Sequence, residues 1–136
     1  MARIFLSIIA LMYLALSVWC SIAPETTSAK VGFSLNPGGG QSEFLVIYGG
    51  LELGLALIFL IPWLKKESTE YALLACLLIH GCLVVFRTAS FLMFEGIEPF
   101  TKQLAIGEWG VFIISLVLYF VCFRNQRGNA PVEGQK

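Results

Sequence analysis

The sequence predicts an all-α integral membrane protein, a four-helix transmembrane bundle. Three observations carry that reading. The 136-residue chain is 57% hydrophobic and only 13% charged, with no aspartate at all. Its mean hydropathy is +0.80. Its apolar residues gather into four runs of about 20 residues, the length that spans a hydrocarbon core of about 30 Å at 1.5 Å per residue. A soluble chain of this size leaves too much of its surface in water to hide so many apolar side chains. The length fits one domain.

The runs extend about from Ile4 to Ala23, Phe44 to Leu64, Tyr71 to Phe94 and Leu104 to Phe123. In lipid each must be a helix, because every backbone polar group has to be satisfied within the segment. Turn and charge signals separate them. Pro24 to Ser42 is polar and contains Asn36-Pro37-Gly38-Gly39-Gly40. Lys65 to Glu70 is a tight charged turn, and Glu95-Gly96-Ile97-Glu98-Pro99 ends the third run. Residues 1–123 form the transmembrane domain, and residues 124–136 are expected to be a disordered, polar cytoplasmic tail. Trp19, Trp63, Tyr71 and Trp109 stand near run ends, as interfacial aromatics do.

The first run has some marks of a signal peptide: Arg3 precedes it and Ser21-Ile22-Ala23 resembles a cleavage site. It is longer than the usual apolar core of about 7–15 residues, and Pro24 would follow the cut directly. A retained first helix is therefore expected. Cys20, preceded by bulky Trp19, does not look like a lipoprotein cysteine.

Four spans place both termini on one side with the 65–70 turn. That side holds Arg3, Lys65, Lys66, Arg124, Arg127 and Lys136, against Lys30 and Lys102 on the other. The positive-inside rule then puts both termini in the cytoplasm. The opposite side gathers Glu25, Glu43, Glu95 and Glu98. Zero formal net charge and the lack of a basic tract give no sign of a nucleic-acid partner. The four cysteines, Cys20, Cys76, Cys82 and Cys122, lie inside apolar runs without a C-x-x-C spacing. They read as packing residues, which argues against thiol–disulfide chemistry.

The informative residues are the ionisable ones within the runs: Glu52, His80, Arg87 and Glu108. A charge at the bilayer centre costs at least about 2.5–3.5 kcal/mol, so these groups should face inward and pair. Helical rise places Glu52 roughly 12–14 Å, Arg87 roughly 10 Å and Glu108 roughly 6 Å below the outer end. Arg87 is expected to lie between the two glutamates, whose carboxylates match its planar fork. His80 lies on nearly the same face as Arg87, two turns deeper. Tyr48 and Gly49 share the face of Glu52, Ser90 continues that of Arg87, and Ser115 and Tyr119 follow Glu108. Tyr13, Ser17 and Ser21 form a similar stripe on the first helix. Gly50 and Gly54 make a G-x-x-x-G spacing that permits close helix contact, either within the bundle or at a dimer face. His80 alone reads best as a satisfied core histidine. A single histidine and no ligand cluster give no metal site, and no cofactor is expected.

The string Glu43-x4-Tyr48-Gly49-Gly50-x3-Gly54, then Arg87-x2-Ser90, Glu95-Gly96-x2-Pro99 and Glu108, resembles a bacterial family known as a domain of unknown function. Its members are small four-helix membrane proteins distantly similar to the DoxX-like group. The resemblance covers residues 1–123 and implies a four-helix bundle in the cell inner membrane in which Glu43, Tyr48, Arg87 and Glu108 matter. It implies no reaction. One departure is Glu95-Gly96 where the pattern has Asp-Gly. Some DoxX-like proteins resemble subunits of quinone-linked oxidoreductases, which favours a partner role.

Three functions stay open. The first is an accessory or small-ligand- or lipid-binding bundle, with the bilayer and a membrane-protein partner or second copy as its contacts. The second is a proton-coupled transporter or channel acting as an oligomer, with Glu52, His80 and Arg87 along a route. The third is a membrane enzyme acting on a lipid or quinone, with Glu52 or Glu108 as general acid or base and Arg87 on an anion. Against all three stands a purely structural role, in which a buried ion cluster only fixes helix register.

Overall fold

The computed structural model describes residues 1–124. Among the described residues are five helices: α1 (Ala2–Ile22), a short α2 (Pro24–Lys30), α3 (Gly39–Leu64), α4 (Thr69–Met93) and α5 (Pro99–Tyr119). All but α2 are long and apolar enough to cross a membrane. No strand occurs among the described residues.

The helices extend past the apolar runs at the end of the bundle that carries α2. α3 starts at Gly39 rather than Phe44, and α5 at Pro99 rather than Leu104. The causes are local. Pro99 is set in the first turn of α5, where its missing N–H costs nothing. Gly38 takes φ +75°, turns the chain before α3, and gives its amide to the Gln41 side chain at 3.1 Å. The polar 24–42 stretch is also more ordered than its composition suggests. It contains α2, and Gln41 donates to the Glu25 carboxylate at 2.7 Å. At the other end a single 3₁₀ turn, Lys66–Ser68, joins α3 to α4. The polar tail beyond residue 124 lies outside the described residues.

α1 buries Leu6, Ile9, Ala10, Tyr13, Ser17 and Cys20, a three-four stripe along one face. That stripe packs along α3, while α4 packs on the second half of α3, on α1, and most extensively on α5. Leu6, Ala10, Tyr13, Phe59, Leu73 and Cys76 form the centre of the core. α5 is the least enclosed of the four long helices and rests chiefly on α4. Outward faces carry Ile8, Leu11, Leu57, Val85 and Phe86, each 58% exposed or more. Water would penalise that surface, whereas hydrocarbon solvates it.

Seven residues of α3, Leu45–Leu51, are wound as a π-helix between two α-helical stretches. β-Branched Val46 and Ile47 and the Gly49-Gly50 pair hold the α form weakly. The wide turn is clamped from α1: the Ser17 hydroxyl donates to the Gly49 carbonyl at 2.7 Å. The Glu52 amide turns back to the same carbonyl. π-Bulges of this kind concentrate at functional sites.

Candidate functional site

The buried stripe of α4 runs Ala72, Leu73, Cys76, His80, Val84, and Arg87 follows one turn on. Arg87 meets Glu108 of α5 in a two-pronged pair: Nε donates to Oε2 at 2.9 Å and Nη2 to Oε1 at 2.7 Å. The two side chains are 26% and 16% exposed, which leaves the pair partly screened. Each prong is a charge-assisted bond, the strong class of hydrogen bond.

Glu52 does not join them. The expected Glu–Arg–Glu triad is replaced by an Arg87–Glu108 pair and a separate carboxylate. Glu52 Oε2 is buried without a hydrogen-bond partner, and the residue makes no ion pair among the described residues. Two causes combine. The bidentate fork commits one whole edge of the guanidinium to one carboxylate. In addition, α4 and α5 form a closely packed hairpin, whereas α3, from Leu45 to Leu64, packs chiefly on α1. Tyr48 and Glu52 on α3, with the Arg87–Glu108 pair on α4 and α5, make up the polar seam of the spans.

His80 is 1% exposed and both ring nitrogens are occupied. Nδ1 lies 2.9 Å from the Cys76 carbonyl and Nε2 lies 3.2 Å from the Tyr13 hydroxyl. A carbonyl can only accept, so Nδ1 carries the proton and Nε2 accepts from Tyr13. The histidine thereby ties α4 to α1 beneath the seam.

The remaining candidates take other places. Tyr48 is half-buried, stacks on Phe44 at 4.5 Å and meets Phe33 edge-on at 6.3 Å. This aromatic group links the 31–38 loop to the π segment. Glu43 is exposed. The Ser90 hydroxyl donates to the Arg87 carbonyl at 2.8 Å, within its own helix. Of the glycines, Gly49 makes the close approach: a Cβ there would sit 2.7 Å from Ser21 Oγ. Gly50 and Gly54 have nothing within 4 Å, so their spacing does not mediate packing inside the bundle. Helical phase explains the difference, since Gly49 faces α1 and the other two face outward.

The chemistry available is narrow. Ser17, Ser90 and Ser115 all spend their hydroxyls on main-chain carbonyls, so none is poised as a nucleophile. Among the described residues no group of three His, Cys, Asp or Glu side chains is arranged for a metal ion. What remains is an ion pair that satisfies itself and an acid that lacks a partner. Sequence reasoning missed the Arg3–Ser7–Trp63 contact at the far end of the bundle. The i,i+4 spacing of Arg3 and Ser7 and an interfacial Trp63 were its only signals. No family model, curated protein or solved structure matches the chain.

Proposed function

We propose that the chain is an accessory bundle of a membrane that binds a lipid or small amphiphile at Glu52, in the outer half of the bilayer. The carrying observation is the buried, unpartnered Oε2 of Glu52, in a bundle whose Arg87–Glu108 pair is already complete without it. An acidic oxygen without a partner in a low-dielectric setting costs about 1–3 kcal/mol or more. A ligand that brings a hydrogen-bond donor recovers that cost. An ammonium or hydroxyl headgroup fits, and a second anion does not. The π turn that ends at Glu52, with the Glu52 amide on the Gly49 carbonyl, supports this reading, since such irregular turns concentrate at functional sites. The small size and the spent serine hydroxyls support a binding role over catalysis. Partnership with another membrane protein or a second copy belongs to the same reading.

Both termini are assigned to the cytoplasm of a bacterial cell, on the Lys/Arg asymmetry described above. The proton-coupled alternative has less support, because the core beyond His80 consists of apolar Leu6, Phe59 and Leu73.

Native mass spectrometry of protein extracted in mild detergent tests the proposal. The wild type should retain an amine- or hydroxyl-bearing amphiphile that Glu52→Gln releases, while Glu43→Gln retains it. A clean wild-type mass with no adduct counts against ligand binding.

A further inference from the structure

At the opposite end of the bundle a second group of side chains is arranged with no protein partner to explain it. The Arg3 guanidinium lies over the Trp63 ring, 4.4 Å from its centroid. Trp63 Nε1 donates to Ser7 Oγ at 2.6 Å, and Ser7 Oγ donates to the Arg3 carbonyl at 2.9 Å. This closed circuit across α1 and α3 holds the indole in one orientation beneath the arginine. Arg3 Nε is buried and has no acceptor. The residue is half-buried and forms no ion pair among the described residues. Lys65 and Lys66, both exposed, follow Trp63 by two and three residues. Leu64, between them, is 88% exposed.

We infer that this end of the bundle holds the phosphate of an anionic membrane lipid on the Arg3 guanidinium, with Trp63 as its platform and Lys65 and Lys66 beside it. Three features support the assignment. An arginine stacked on an indole keeps its outer edge free and oriented, and that edge matches two phosphate oxygens. Interfacial tryptophans sit at the depth where lipid phosphates lie. Clustered Lys and Arg next to a membrane span attract anionic headgroups. The other end shows the contrast. There Lys30 also lies over aromatic rings, Trp19 at 5.7 Å and Phe100 at 5.6 Å, but Glu25, Glu43, Glu95 and Glu98 outnumber Lys30 and Lys102 at that end and disfavour an anion, whereas Arg3, Lys65 and Lys66 outnumber Glu67 and Glu70 at this one. Exposed Leu64 and the Trp63 ring offer apolar contact to acyl chains, which free phosphate cannot use. This site is independent of Glu52 and stands or falls separately.

The test is native mass spectrometry of the full chain in a neutral detergent with added phosphatidylglycerol, phosphatidylcholine or inorganic phosphate. The wild type should retain phosphatidylglycerol over phosphatidylcholine. Arg3→Gln should reduce that retention about fivefold, with Arg3→Lys intermediate and Lys30→Gln unchanged. Trp63→Phe, which removes the Ser7 bond and keeps an apolar ring, should also lower retention if Arg3→Gln fails to fold. Equal retention of the two lipids by the wild type, or undiminished phosphatidylglycerol on Arg3→Gln, overturns the inference. Displacement of the lipid by inorganic phosphate at matched concentration assigns the site to free phosphate and overturns the lipid assignment.

Discussion

Arg87 grips Glu108 with two parallel hydrogen bonds, from Nε at 2.9 Å and from Nη2 at 2.7 Å. That grip decides the character of the whole polar seam. It neutralises the arginine within the α4–α5 hairpin and leaves Glu52, on α3, without a cation. The seam therefore presents an unsatisfied acceptor, where a triad would have been closed.

Removing either member of the pair strands the other charge in the bundle. Arg87→Gln or Glu108→Gln should each destabilise by about 3 kcal/mol, the lower end for a broken buried pair because both side chains keep some exposure. The double substitution should cost less than the sum of the two. Thermal unfolding in detergent, read by circular dichroism, gives the comparison.

Glycine positions on α3 should respond in opposite directions. Gly49→Ala places a methyl 2.7 Å from Ser21 Oγ and 3.2 Å from a Leu45 methyl, so it should destabilise, and Ser21→Ala in the same chain should recover part of the loss. Gly54→Ala meets nothing within 4 Å and should stabilise by up to about 1 kcal/mol through helix propensity. The same unfolding assay reads both signs.

The histidine bridge makes a third expectation. Tyr13→Phe deprives the buried His80 Nε2 of its donor and should cost about 1 kcal/mol or more, whereas Tyr13→Phe combined with His80→Leu should recover part of that cost. Additive losses in the double-mutant cycle would mean that the 3.2 Å contact carries no coupling.

Much of this fold was legible in the residue pattern. Four runs of spanning length between Pro, Gly and charged turns leave one architecture open in lipid, and all four spans are present. The run ends were less legible: hydropathy tracks the hydrocarbon depth, whereas Gly38 and Pro99 set where the helices start, five residues earlier in α3 and α5. Arg87 and Glu108 could be matched by depth because they lie on helices joined by a short loop. The failure to join Glu52 was not legible. Glu52 directly follows the π turn at Leu45–Leu51, and no periodicity of apolar residues encodes a change from 3.6 residues per turn. For Gly50 and Gly54 the spacing names two glycines but helix phase decides which glycine meets α1; it is Gly49, and of the two readings of that spacing the dimer face is the one left open.

Topology is open to a direct check. In a background with the four native cysteines replaced, a single cysteine at Ser34 should react with a membrane-impermeant maleimide in intact cells. One at Ser68 should react only after permeabilisation. The reverse pattern would invert the assignment of both termini to the cytoplasm.

An experimental map of the protein in a lipid nanodisc, with native lipids retained, tests the central claim most directly. Non-protein density within about 3 Å of Glu52 Oε2, hydrogen-bond distance, is expected beside an intact Arg87–Glu108 pair. An Arg87 side chain turned to bridge both glutamates, with Glu52 packed dry against α1 or α4, would contradict the claim and reduce the seam to a device for helix register.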